Sequence, residues 1–296
     1  VEIILSAKRP VVFGGGGIIC SEATPELVEF VHRLKIPVAL TLMGLGGYPA
    51  NDPYFMSMLG MHGSYKANMA VYESDVIISI GARFDDRATG GNFPKFAPNA
   101  KIVHIDIDPS TIDKNIRVHC PIVGDAKQVL KQMLELIPKD LNIDRREWFG
   151  RIEEWGRRYP LVCKQNGDKI MTSFLIDMLS NVTRGEAVIV SDVGQHQMWV
   201  AQFYKFNHPR THITSGGLGT MGFGFPAAMG AKFARPDELV IAVCGDGSFQ
   251  MNMQELATAV ENNMDLKIIV INNEHHGMVR QWQTLFFNKN YSASHF

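Results

Sequence analysis

The chain has 296 residues, of which 46% are apolar and 20% charged, a composition that can bury a full core and a length that suits two domains. Its formal net charge is -1 and no basic block is longer than a few residues, which removes the electrostatic drive for nucleic-acid binding. No apolar run approaches the ~20 residues of a membrane span, and the scattered Cys20, Cys120, Cys163 and Cys244 form no CxxC pair, against a zinc site or a disulfide framework and in favour of a reducing cytoplasm. The chain opens on Val1 in the tail of a helix, with no basic, apolar and cleavage segments of a signal peptide, so it is expected to be a piece of something longer.

In chain order, the first half carries PVVF at 10–13, PVALTL at 37–42, DVIISI at 75–80 and KIVHID at 101–106. Short runs that are apolar throughout and alternate with helices predict strands buried on both faces of a parallel sheet. The first helix is marked by Thr24 as its cap, Pro25 where a missing N–H costs nothing, and Leu27, Phe30, Val31 and Leu34 on one face. After Pro138 the composition turns charged, and Trp148 and Trp155 fall at a spacing that shares a helix face, as packing rather than as a ligand platform. The expected division is a nucleotide-binding domain over 1–140, a linker over 141–168 and a second domain over 169–296. That second domain predicts a helix at 171–182, strands at 187–190, 239–243 and 267–271, a helix around 197–203 and a Gly-rich passage, SGGLGTMGFG, at 215–224. The fold class is therefore α/β, two doubly wound parallel-sheet domains in tandem.

The strongest chemical signal runs from Gly245 to Asn273. Asp246 stands just past a strand between Gly245 and Gly247, where small neighbours admit a diphosphate to the backbone. Asp-Gly is also a hairpin turn, but Met253, Leu256, Ala257 and Val260 have helical spacing after a capping-box-like Asn252 and Glu255, so the unit reads strand, helix, strand. A right-handed crossover makes the two strands parallel and opens Asp246 and Asn273 on the same edge. A carboxylate, an amide oxygen, a backbone carbonyl and phosphate oxygens make the hard shell that Mg2+ prefers.

This segment, GDGSFQMNMQELATA ending at Asn272 and Asn273, resembles the GDG...NN signature of thiamine-diphosphate enzymes. The resemblance implies that Asp246, the Asn273 side chain and the His275 carbonyl bind the metal. A narrower resemblance, to the acetohydroxyacid synthase (acetolactate synthase) catalytic subunit, covers essentially the whole chain. It rests on LGMHG at 59–63, GARFDDR at 81–87, VGQHQMW at 193–199, SGGLGTMG at 215–222 and HGMVRQW at 276–282. It implies that Val193, Gly194, Gln195, His196, Gly219, Met221, Gly245, Asp246, Gly247, Ser248, Asn273, Gly277, Met278 and Val279 hold thiamine diphosphate. Met221 would support the bent cofactor, and Met278, Val279 and Trp282 would line the substrate channel, with Gln195, His196, Met221, Met278 and Trp282 as the catalytic set. On chemistry alone, Met221 reads equally as a gap filler, 278, 279 and 282 as one helix face, and His196 as a structural histidine.

The loop FGGGGI at 13–18 follows the first strand and suits a nucleotide phosphate, but it is a poor NAD fingerprint, with Cys20 where the third glycine should fall and no acidic residue after Leu42. The resemblance implies FAD there, against Gly15, Gly16, Gly17, Thr41, Leu42, Met61, His62, Gly63, Gly81, Arg83, Asp85, Arg87, Asp106, Ile107, Asp125 and Ala126. Arg83 and Arg87 read alternatively as surface ion pairs. The implied reaction decarboxylates pyruvate and joins its two-carbon unit to a second 2-keto acid, pyruvate or 2-ketobutyrate, with FAD outside the redox balance. A homodimer or larger assembly and a regulatory small subunit are implied partners. The chain alone is expected to be inactive, because the domain with the activating glutamate and a closing segment would lie outside it. Rival readings are glyoxylate carboligase, oxalyl-CoA decarboxylase, or a non-catalytic nucleotide-binding module.

Overall fold

The computed structural model describes residues 1–163, 165 and 167–296. The chain divides into two compact units, one of 1–162 with 207–209 and one of 163–206 with 210–296. The first contains a six-stranded sheet of β1 (Pro10–Gly14), β2 (Val38–Leu40), β3 (Phe55–Met58), β4 (Val76–Ile80), β5 (Lys101–Asp106) and β6 (Cys120–Val123), in the order β3-β2-β1-β4-β5-β6. Every neighbouring pair is parallel. The order reverses between β1 and β4, so the carboxyl ends of those two strands flank a crevice, the usual ligand position in open α/β sheets. β1 and β4 are buried along their whole lengths, as strands covered on both faces must be.

The helix Thr24–Leu34 buries Leu27, Phe30, Val31 and Leu34 completely, the face that periodicity predicts, at about 1.5–3 kcal/mol per side chain. Thr24 is not its cap: the hydroxyl donates to the Gly47 carbonyl at 3.0 Å, and the helix instead starts from Ala23 with Pro25 in its first turn. Within the span expected as linker, Arg146–Arg158 forms a helix whose Trp148 and Ile152 belong to the first unit's core beside Val11, Phe13 and Ile77. Trp148 donates to the Pro10 carbonyl at 3.2 Å and meets Trp155 edge-on at 5.9 Å. The preceding Arg145 is buried, donating to the carbonyls of Leu34 and Ala7. Residues 164 and 166 of that span lie outside the described residues.

The second unit holds β7 (Val188–Ser191), β8 (His212–Thr214), β9 (Val240–Gly245) and β10 (Lys267–Ile271) in the order β10-β9-β7-β8, again all parallel. Its switch lies between β7 and β9. Its core joins Val188, Val190, Val240, Ala242 and Cys244 to Phe225, Ala228 and Met229 of the helix Gly224–Ala234. Cys244 is fully buried, which pushes its thiol up to about 12 and leaves it an inert apolar filler. Among the described residues no helix is long and apolar enough to cross a membrane.

Candidate functional site

Both strands flanking the second switch end in residues with unusual local chemistry. After β7 comes Asp192, fully buried, whose carboxylate accepts the N–H groups of Val193 at 2.7 Å, Gly222 at 3.0 Å and Gly224 at 2.8 Å. Three backbone donors replace the water that a buried carboxylate loses. Gly224 has to be glycine for this contact, since a Cβ there would lie 2.7 Å from the Asp192 Cβ. The carbonyl of Gly222 is gripped from the other side by the Asn252 amide at 2.6 Å. Asn252 is thus a clamp on the Gly-rich passage and forms no helix cap; the turn after β9 is closed instead by the Ser248 hydroxyl, which accepts from the Gly245 N–H at 3.1 Å. Met221, half-buried, is held next to the doubly anchored Gly222, and a Cβ on Gly219 would stand 3.9 Å from Val193 Cγ1.

Val193 and Gly194 lead directly into the helix Gln195–Phe203, with Gly194 in an extended conformation at φ 151° that a side chain would strain. His196 is 6% exposed, wedged between Gly194 and Gly245: a Cβ on either glycine would stand 3.0 Å from the imidazole Cε1. Burial pushes this imidazole down to about 4, against the opposing pull of the Asp192 and Asp246 charges. Its Nε2 is buried and has no hydrogen-bond partner. The ring's N–H is spent on the Asp192 backbone, so in the neutral imidazole Nε2 presents a lone pair at the junction of two strand ends and accepts from a ligand N–H or O–H.

On the neighbouring edge, register pairs Gly245 with Ile271, so the segments after β9 and β10 emerge side by side. Asp246 Oδ1 accepts the Gly247 N–H at 2.9 Å and Oδ2 the Glu274 N–H at 2.7 Å, which brings the carboxylate to the residue following Asn273. Asn273 Oδ1 accepts the His275 N–H at 3.1 Å. A short antiparallel bridge pairs His275 with His295 through His276 N–H to the Ser294 carbonyl, 3.0 Å, and Phe296 N–H to the Glu274 carbonyl, 3.1 Å. In that pattern the N–H and carbonyl of His275 itself face away from the pairing strand. Among the described residues no three His, Cys, Asp or Glu side chains cluster to hold a metal. An ion at this edge would therefore depend on one carboxylate, an amide oxygen, a carbonyl and ligand oxygens, a set that fits Mg2+ and not a softer metal.

The helix Gly277–Phe286 completes this face. Met278, Val279 and Trp282 line an open cavity of about 430 Å3 together with Gln283, Phe287 and Asn290. Gly277 lies under two amides, since a Cβ there would be 2.2 Å from Gln195 Oε1 and 2.9 Å from Asn273 Nδ2. Gly247 is covered by the Phe296 ring, 2.4 Å from where its Cβ would be. Sequence reasoning missed Asp192, Asn252 as a clamp, and Phe296. For Asp192 the available signal was an acidic residue at the very end of an apolar strand, immediately before Val193 and Gly194.

In the first unit, the residues expected to face FAD all follow the carboxyl ends of the parallel strands. Gly15, Gly16 and Gly17 follow β1, Thr41 and Leu42 follow β2, Met61, His62 and Gly63 follow β3, Gly81, Arg83, Asp85 and Arg87 follow β4, Asp106 ends β5 and Ile107 follows it, and Asp125 and Ala126 follow β6. β2 ends at Leu40, two residues before Leu42, and Thr41 caps the next turn by accepting the Gly44 N–H. Asp85 and Asp125 are helix caps, bonded to the N–H groups of Ala88 and Gln128. Gly15 and Gly17 press against Gly81: a Cβ on Gly15 would be 2.2 Å from the Gly81 carbonyl, and one on Gly17 2.5 Å from the Gly81 Cα. These glycines join two loops main chain to main chain, which is a packing reason for them independent of any phosphate. Arg87 is exposed and only 3.8 Å from Asp86, while Arg83 is exposed at the same edge. Burial and the Arg87 charge hold the His62 imidazole below its ordinary range. Exposed Met61 and Ile107 add apolar surface beside these cations, a combination that fits the flat ring and phosphates of a dinucleotide.

Residues 1–133 match the family described as thiamine pyrophosphate enzyme, central domain, and residues 192–296 the family described as thiamine pyrophosphate enzyme, C-terminal TPP binding domain. An acetolactate synthase large subunit of Buchnera aphidicola subsp. Schizaphis graminum is 50% identical over 296 residues, 100% of this chain and 52% of the relative. The acetolactate synthase isozyme 3 large subunit of Escherichia coli is 47% identical over 299 residues, 100% of this chain and 52% of the relative. Acetolactate synthase 2, chloroplastic, of Nicotiana tabacum is 49% identical over 293 residues, 98% of this chain and 44% of the relative. The chain thus spans about half the length of the curated relatives it matches. With both domain types in order and near-half identity along its whole length, it belongs to the thiamine pyrophosphate enzymes, among the homologues of the acetolactate synthase large subunit.

Proposed function

We propose that the chain forms the FAD-binding and thiamine-diphosphate-binding parts of an acetolactate synthase large subunit, which decarboxylates pyruvate and ligates the two-carbon unit to pyruvate or 2-ketobutyrate. The observation that carries this reading is the adjacent, parallel pairing of β9 and β10, which sets Asp246 against the 272–275 segment on one sheet edge. Thiamine diphosphate, when bound with Mg2+, would supply the nucleophilic carbon that the 2-keto acid needs to lose carbon dioxide. The protein's part is placement. Asp246, the Asn273 side chain and the His275 carbonyl hold the ion, the backbone at Gly194, Gly245 and Gly247 receives the diphosphate, and His196 packs against it as a neutral ring. Met221, anchored through Gly222, supports the ring system, while Met278, Val279 and Trp282 wall the cavity and keep water from the reacting carbon.

FAD is assigned to the carboxyl edge of the first unit, against the Gly15–Gly81 junction, Met61, Arg83 and Ile107, without a redox part in the ligation. The free thiols of all four cysteines suit a reducing cytoplasm. The relatives are named large subunits, in keeping with a regulatory small subunit and a homodimeric or larger assembly. Isothermal titration of the full-length protein tests the site: Mg2+-dependent thiamine diphosphate binding is expected, with Asp246→Ala abolishing it. Binding that ignores both Mg2+ and Asp246→Ala would leave a nucleotide-binding module as the better description. Faster carboligation of glyoxylate than of pyruvate would replace the substrate assignment alone.

A further inference from the structure

We infer that Gln281 is a positioning residue that orients the Gln195 amide in the diphosphate site, an inference resting on the reading of that site given above. Gln195 opens the helix that follows β7, and Gln281 lies one turn inside the helix Gly277–Phe286, so the two reach each other across the mouth of the site. Gln195 Nε2 donates to Gln281 Oε1 at 2.8 Å. The other end of the same amide, Oε1, rests over the bare Cα of Gly277, beside the Asn273 amide.

A primary amide is ambivalent, and its two ends offer opposite chemistry: an oxygen that accepts from N–H groups or a metal-bound water, and a nitrogen that donates to phosphate. By accepting from Nε2, Gln281 commits one donor of Gln195 and turns its oxygen toward the Gly277 and Asn273 corner. Gln281 acts through Gln195 and makes this choice without touching the ligand. The bare Gly277 makes the arrangement possible, because any side chain there would occupy the place of the Gln195 oxygen.

Three variants of the full-length protein separate orientation from packing: Gln281→Glu keeps only acceptors, Gln281→Met keeps the length with neither function, and Gln281→Lys offers only donors. The readouts are the Kd for thiamine diphosphate in saturating Mg2+, measured by titration calorimetry, and the thermal midpoint of the ligand-free protein. Gln281→Glu is expected within about threefold of wild type, whereas Gln281→Met weakens binding by about tenfold and Gln281→Lys by at least as much, the scale of one lost hydrogen bond. The double variant Gln195→Met, Gln281→Met is expected to bind no worse than Gln195→Met alone, since the effect runs through Gln195. Equal affinity in all three Gln281 variants and wild type, equal losses in the Glu and Met variants, or additive losses in the double variant would each overturn the inference. Should a Gln281 variant melt early, the double-variant comparison decides. Undiminished binding by Asp246→Ala would instead bring down the reading of the site itself.

Discussion

The imidazole of His196 is packed between two glycines with its Nε2 unpartnered, and that environment has a consequence in solution. Its folded-state value near 4 lies below the ordinary 6.5, so between those values the unfolded chain binds the proton that the folded chain refuses. Stability from this residue is complete above about pH 6.5 and is lost as pH falls toward 4, by about 3 kcal/mol in all. Urea unfolding of the ligand-free protein across this window, compared between wild type and His196→Gln, measures the contribution; the variant is expected to lose the extra slope, and parallel pH profiles would refute it. VGQHQMW marked His196 in the sequence, but its neutrality was not legible, because that comes from burial to which Gly245, on a different strand, contributes. Asp192 had a signal in its place at the end of an apolar strand, but its partners were hidden for the same reason. Two of its three donors are Gly222 and Gly224, 30 and 32 residues away, and no local pattern announces such a partner.

The central strands were readable because both faces are covered, which favours short, mostly apolar runs: β1, β4, β5 and β9 all appear as such, although Ser79 lies within β4 and His104 within β5. β3, β6 and β8 were not, and all three are edge strands. β6 alternates between half-buried and exposed positions, so Cys120 to Val123 carries no continuous apolar signal. β3 contains a further obstacle. Ser57 has φ 88° inside the strand, where the register with β2 shifts between Val38 and Leu40, the mark of a bulge. A non-glycine residue there holds its backbone in a disfavoured region, and Ser57→Gly is expected to stabilise the protein by about 1 kcal/mol through relief of that strain. A chemical-denaturation midpoint unchanged or lowered by Ser57→Gly would show that the Ser57 backbone is unstrained. The shared helix face of Trp148 and Trp155 was legible, but the place of the helix Arg146–Arg158 in the first unit was not: a charged stretch reads as linker until Trp148 and Ile152 are seen buried against β1.

Across the whole molecule, each unit is a parallel sheet whose functional candidates emerge at the carboxyl edge, and each edge is assembled from strands of its own unit. The two proposed binding functions should therefore be separable by mutation. Gly81 sits at φ 55° with Gly17 Cα 2.5 Å from where a Cβ would be. Gly81→Val is expected to eliminate flavin binding, read by flavin fluorescence, while Mg2+-dependent thiamine diphosphate affinity stays within about twofold, since sites without shared residues behave additively. Joint loss of both ligands in this variant would contradict the separation. The alternation of buried strands with helices made the tandem architecture legible in the sequence, whereas the joining of individual loops became visible only in three dimensions.

That junction of Gly15, Gly17 and Gly81 has a consequence for the proposed nucleotide site. Where main chain meets main chain there is no side chain to substitute, so under that proposal any preference among nucleotides would be set at exposed positions of the same edge, such as Met61, Arg83 and Ile107. Retuning which cofactor this scaffold accepts would begin at those outer positions and leave the glycines untouched.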